Sequence, residues 1–213
     1  MIRLHCFAQS GNCFKVAFAL RAMGLPFEMV FVDFMHGATR DPNWRAAVNP
    51  MGEVPVLEDG ARRLTQSGAI LSWLARKTGA FGGADEDQQL EALRWMFFDN
   101  HKFTSYFATL RFMKSFAPTP PDPVITGWLR SRLEASWTVV EQRLAGSDFI
   151  AGAAPTIADF SLAGYLFYPE AESGWPILPR WPAIAAWLSR LRAIDGWVAP
   201  YDLLPGEVIA PRW

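Results

Sequence analysis

The run Asn49-Pro50-Met51-Gly52-Glu53-Val54-Pro55-Val56-Leu57 sets a proline inside what otherwise reads as a strand. Proline has no N–H to give a central ladder, so such a residue opens an edge strand or forms a cis bond in a purposeful turn. Close behind it comes Thr65-Gln66-Ser67-Gly68-Ala69-Ile70, where a serine precedes an apolar helical pattern. Its hydroxyl and the free N–H groups of a first helical turn make a ready site for a carboxylate. A loop that presents backbone beside an anion-binding helix start points to a small acidic peptide ligand.

The segments around these stretches alternate strand and helix. Ile2, Leu4 and Cys6 alternate with Arg3, His5 and Phe7 in a first strand, and Phe14 to Met23 is an apolar helix stopped by Gly24 and Pro26. Phe27 to Val32 reads as a second strand and Asp41 to Val48 as a short helical turn region. Val54 to Glu58 and Arg62 to Leu64 flank Asp59-Gly60, a strong hairpin signal, and Ile70 to Lys77 closes the series as a helix. The expected order is β-α-β-α-β-β-α.

Residues 79 to 87, rich in Gly, Ala and acid, read as a linker, and the patterns beyond it are all helical. Helices are expected over Gln88 to Phe116, Val124 to Leu144, Ile157 to Tyr168 and Ile184 to Leu191, with Asp202 to Trp213 as a wrapping loop. Thr156-Ile157-Ala158-Asp159 has the form of a capping box. Two domains follow, 1–79 and 87–213.

Composition narrows the partners. A net charge of −1 gives no electrostatic case for nucleic acid or an anionic membrane surface, and no apolar run approaches the ~18 residues of a span. With no signal-peptide pattern, the expected compartment is the cytoplasm. Ten Trp and sixteen Phe point to large aromatic cores, an interface or an apolar ligand pocket. His5, His36 and His101 are scattered without a ligand spacing, so no metal is expected.

Ser10-Gly11-Asn12-Cys13 follows the first strand and opens the first helix. The Ser10 hydroxyl, the Asn12 amide and the helix N–H groups can favour a thiolate over a thiol. Lowering a thiol pKa by two units takes roughly 2.7 kcal/mol of such preference. Alternatively, Ser10 and Asn12 serve as helix caps. Serine stands where a Cys-x-x-Cys motif has its attacking sulfur, so dithiol chemistry is not expected, and Cys13 and Cys6 read as core.

Through Val54-Pro55, Gln66-Ser67 and Ser10-Gly11-Asn12 followed by Lys15-Val16, the chain resembles the glutathione transferases, notably a bacterial group with that serine arrangement. The resemblance covers nearly the whole length and implies a thioredoxin-like α/β half followed by an all-helical half. It implies that cis-Pro55 fixes a loop in which Val54 pairs its backbone with the cysteinyl part of glutathione. Gln66 and Ser67 would hold the γ-glutamyl end, while Glu53 stands where many relatives carry Lys or Gln near the glycyl carboxylate. Lys15, His36, Arg40 or Arg45 are candidates to offset that charge. Ser10, with Asn12, would activate the thiol; His101 on the long helix either faces the cleft or belongs to a polar face, and Phe103, Tyr106 and Phe107 are either core or, with His101, the expected wall for an apolar electrophile, since their spacing fits both. A homodimer is implied, with contact around residues 68 to 116. The same site could run peroxidase, lyase or isomerase chemistry, and the fold also serves non-catalytic binding proteins.

Overall fold

The structure, a computed structural model, describes residues 1–213. Its four-stranded sheet has the order β2-β1-β3-β4, with β1 (Ile2–Cys6) and β3 (Val56–Asp59) central. β2 (Phe27–Phe31) runs parallel to β1, with Ile2 opposite Phe27, and β3 runs antiparallel, with Ile2 opposite Asp59. A parallel pair needs a crossover, and α1 (Gly11–Ala22) supplies it. β4 (Arg62–Thr65) returns antiparallel to β3 through a two-residue turn in which Gly60 takes φ +59°, a conformation that costs glycine little.

α1 is apolar nearly all round, as a helix with no solvent face must be. One side lies on the sheet side and the other meets α7 (Ile157–Ala163), where Phe18 packs edge-on to Phe160 at 4.8 Å. α2 (Pro42–Ala47) starts at an Asp41 cap with proline in its first turn, and α3 (Ser67–Thr78) packs beside α1.

Beyond residue 79 every regular element is helical. The long helix expected over Gln88 to Phe116 is instead α4 (Glu86–Phe98), a π-helical turn at Asp99–Phe103, and α5 (Thr104–Ser115). Next comes α6 (Pro123–Ala145), capped by Asp122 with proline in its first turn. The helix expected to reach Tyr168 ends at Ala163, and α8 (Glu170–Ser173), which has too few residues to show a period, was not foreseen. α9 (Pro182–Arg192) and α10 (Pro200–Leu203) complete the order, after which the last residues carry no regular structure.

The Thr156 box is present in full. Asp159 accepts from the N–H groups of Ile150 and Thr156, both at 2.8 Å, and from the Trp187 indole at 2.8 Å. One buried carboxylate thereby ties the start of α7 to the preceding loop and to α9. A single core runs from the sheet through α1 and α7 into α6 and α9, centred on the fully buried Trp137 and Trp187. The architecture is a thioredoxin-like α/β half joined to an all-helical half.

Candidate active site

The two halves meet at a cleft of about 450 Å³. Its polar floor starts with Ser10, the cap of α1, whose Oγ accepts the Cys13 N–H at 3.1 Å. Ser10 therefore does cap the helix; it also lines the cleft, and capping uses only one of its oxygen's lone pairs while leaving its proton free. Asn12, one turn residue on, lines the same wall and places Oδ1 3.5 Å from Ser67 Oγ.

Val54 sits beside them, preceding the cis Pro55. Neither its N–H nor its C=O is engaged by another backbone group, so an edge is open to an extended peptide. The loop is held from behind by the buried Asn49, whose side chain donates to the Glu53 carbonyl at 2.8 Å and accepts from Met51 N–H at 3.1 Å. Gly52 takes φ +70°, a conformation strained for any residue with a Cβ, and a Cβ there would fall 2.6 Å from the Arg45 guanidinium, which would have to shift. Both residues stand in the Asn49 to Leu57 run with no role assigned to them from sequence, although an Asn-Pro-x-Gly run is itself a turn signal.

The cap position of α3 is Gln66 rather than Ser67, and it takes φ +65°, unusual for a residue with a Cβ. No side chain caps the helix, so its first-turn N–H groups face the cleft unsatisfied by the protein. The Gln66 amide donates to Glu53 Oε2 at 2.7 Å, and the Glu53 carboxylate thus stands over this helix start. Ser10, Asn12, Glu53, Val54, Pro55, Gln66 and Ser67 all line this one cleft.

The expected apolar wall lies elsewhere. Phe103 and Phe107 are buried against Trp137 at ring distances of 5.3 and 5.6 Å, Tyr106 meets Trp128, and His101 is exposed outside the cleft. In their place α5 and the residue that ends it present Ala108, Thr109, Phe112 and Phe116, which line the cleft together with Phe7, Phe34 and Met35. The π turn explains the correction: its wider i→i+5 turn resets the phase of everything downstream. The stripe at 103 and 107 turns to the core, and the neighbouring stripe at 108, 112 and 116 turns to the cleft.

The four cations offered to balance Glu53 are differently placed. Lys15 is buried, 2.9 Å from the Asp99 carboxylate, which also accepts from Ser161 and Thr104. His36 pairs with Asp33 at 2.8 Å, Arg45 donates to the Thr39 carbonyl, and Arg40 remains exposed. Cys13 is fully buried and burial pushes its thiol up to about 12, which removes it from thiolate chemistry near neutrality.

At the base of the cleft, with Arg111 part of its lining, lies a pair that the sequence did not reveal. The buried Arg111 donates to Glu172 at 2.6 Å and to the Gln9 carbonyl at 2.7 Å, with its guanidinium 3.9 Å from the Tyr168 ring. Tyr168 in turn donates to the Ala8 carbonyl at 2.6 Å. Residues 8 and 9, which lead into Ser10, are thereby clamped to the helical half.

Family comparisons agree with this geometry. Residues 9–77 match the model of the glutathione S-transferase N-terminal domain and residues 72–190 that of its C-terminal domain. Glutathione S-transferase F14 of Arabidopsis thaliana is 28% identical over 92% of this chain and 81% of its own length. Glutathione S-transferase 3 of Zea mays is 29% identical over 90% of this chain and 89% of its own. Among solved structures, a possible glutathione S-transferase from Rhodopseudomonas palustris superposes with a TM-score of 0.85 at 31% identity, covering 94% of this chain and 98% of that one. The chain belongs to the glutathione S-transferase family, holds both of its domains, and is a transferase enzyme.

Proposed function

We propose that the cleft binds glutathione and joins its sulfur to a small apolar electrophile. The observation that carries this reading is the convergence of three complementary features on one space. They are the Ser10 hydroxyl at a helix start, the unpaired backbone of Val54, and the uncapped N-terminus of α3. An extended peptide with a carboxylate at one end and a thiol in its middle matches all three. In this reading residues 1–79 hold glutathione, and residues 87–213 supply the electrophile wall through Ala108, Phe112 and Phe116.

The chemistry asks little beyond this. Ser10 donates to the sulfur and favours the thiolate, Asn12 and the start of α1 adding to the same field. The thiol proton leaves to solvent, the thiolate attacks the electrophilic carbon to form the C–S bond, and a halide or similar group departs with its electron pair. Holding both reactants in the cleft supplies the remainder of the rate. Initial rates with glutathione and an aryl halide test the reading. Saturable conjugation supports it; binding without turnover on aryl halides, peroxides or disulfides would leave a binding protein instead.

Glu53 carries a separate expectation. Its carboxylate, held over the cleft by Gln66, opposes a peptide carboxylate nearby, and two such charges at about 4 Å in water repel by about 1 kcal/mol. Glu53→Gln should therefore tighten glutathione about fivefold in a binding titration. Weakened binding would mean that Glu53 serves the site by orienting Gln66.

We place the protein in the cytoplasm as a homodimer. Leu90, Leu93 and Phe97 lie exposed at helical spacing on α4, within the stretch expected to form the contact, and sedimentation of the intact chain reads the assembly directly.

A further inference from the structure

We propose that a second cavity beside the cleft takes the apolar tail of an elongated electrophile, so that the enzyme favours electrophiles carrying an alkyl chain over compact ones. The inference rests on the reading of the cleft as the site for glutathione and an electrophile, and it names the substrate class that this site prefers.

The second cavity has a volume of about 370 Å³ and lies between the end of β2 and residues 206–209. Phe7, Gln9, Phe34 and Met35 border both it and the cleft, so the two spaces are neighbours that share one wall. Phe31, Val32 and Ile209 border the second cavity but not the cleft. Phe31 is 52% exposed, an aromatic side chain that the fold leaves half uncovered. An apolar occupant of the cavity would cover it.

The far wall is built rather than loose. Gly206 takes φ +124° and passes so close to β2 that a Cβ there would fall 3.2 Å from the Phe31 ring. The Glu207 carbonyl then accepts from the side-chain amide of the buried Gln9. Further along, the Trp213 N–H donates to the Lys114 carbonyl at 3.0 Å, and its indole donates to the Ala117 carbonyl at 3.1 Å. The segment is thereby fixed to the sheet at one end and to the end of α5 at the other, with Ile209 half-buried between them.

The shared wall has fixed parts and one that moves. Phe7 and Phe34 stack at 4.7 Å with their ring planes 8° apart. Gln9 is held by Glu207 through its side chain and by Arg111 through its carbonyl. Met35 is held by packing alone, and its unbranched thioether changes rotamer at little cost. A chain leaving the cleft therefore passes at Met35. The charged groups of the lining do not call for a polar occupant: Asp33 and His36 are exposed and paired with each other at 2.8 Å, and Glu207 is exposed.

The test is a series of 4-alkylbenzyl chlorides from methyl to hexyl, whose reacting carbon is electronically alike throughout. In each, the glutathione sulfur bonds to the benzylic carbon, the carbon–chlorine bond breaks, chloride leaves with the electron pair, and the thiol proton goes to solvent. For the wild type, kcat/KM should rise about threefold with each added methylene as more of the chain leaves water. Ile209→Trp, which fills the second cavity from its far wall, should end the rise near propyl and cost the hexyl compound about tenfold. Phe31→Asp, at an exposed position, is the second variant and should flatten the rise by setting a carboxylate against the chain. Titration of S-methylglutathione and S-hexylglutathione reads the same preference without turnover. A flat series in a wild type that turns over the methyl compound would overturn the inference alone. So would a rise that both folded variants keep, since the chain would then lie within the cleft. A wild type that neither turns over the series nor binds the two S-alkylglutathiones would overturn the proposed function and this inference with it.

Discussion

Arg111→Met is expected to lower stability by about 3–5 kcal/mol, a large share of the total for a protein of this size. The side chain is 3% exposed and its partner Glu172 is 2% exposed, so the pair is almost wholly desolvated. Methionine fills much of the volume but leaves the Glu172 carboxylate buried with only the Tyr201 hydroxyl, at 2.7 Å, to satisfy it. It also frees the Gln9 carbonyl, which loses its donor in a buried place. Urea titration should show the midpoint falling with little change in slope. Because most of the loss comes from the orphaned charge, Arg111→Met with Glu172→Gln should recover a substantial part of it. If the single variant loses less than about 1 kcal/mol, water enters at the base of the cleft and the pair is not the clamp described. The clamp also has a catalytic reading: with residues 8 and 9 released, turnover should fall further than the stability loss accounts for.

Ser10→Ala is the second large effect, and it falls on chemistry rather than on folding. Removing one preorganised donor to a developing or resident anion typically costs 10² to 10³ in rate, so turnover with an aryl halide should drop about 10²-fold. The affinity for glutathione should change less than about threefold, because Val54 and the start of α3 still hold the peptide. Loss of the cap to Cys13 N–H costs about 1 kcal/mol, which the melting temperature reports separately. Unchanged turnover in Ser10→Ala would transfer the sulfur's activation to Asn12, whose amide lines the same wall.

What was legible in the sequence was what local chemistry dictates. The β-α-β-α-β-β-α order could be read from alternation, from the Asp59-Gly60 turn and from helix stops, because each is decided within a few residues. The polar side of the cleft was equally accessible, since Ser10, Val54-Pro55 and Gln66-Ser67 each declare a backbone device in their own neighbourhood. The apolar side was not. Its identity depends on a π turn at 99–103 that no periodicity announces, and a one-residue change of phase exchanges the core stripe for the cleft stripe. The buried charges were hidden for another reason: Arg111 and Glu172 are 61 positions apart, and Lys15 and Asp99 are 84 apart. Nothing short of the fold brings either pair together.

Calorimetric titration of glutathione into the intact chain, beside the same titration into Ser67→Ala, tests the central claim most directly. The account predicts saturable binding in the micromolar to millimolar range, weakened several-fold in Ser67→Ala. The loss would follow from the serine's place in the first turn of an α3 that no side chain caps. Absence of binding at millimolar glutathione, or equal binding by both proteins, would contradict the assignment of this cleft.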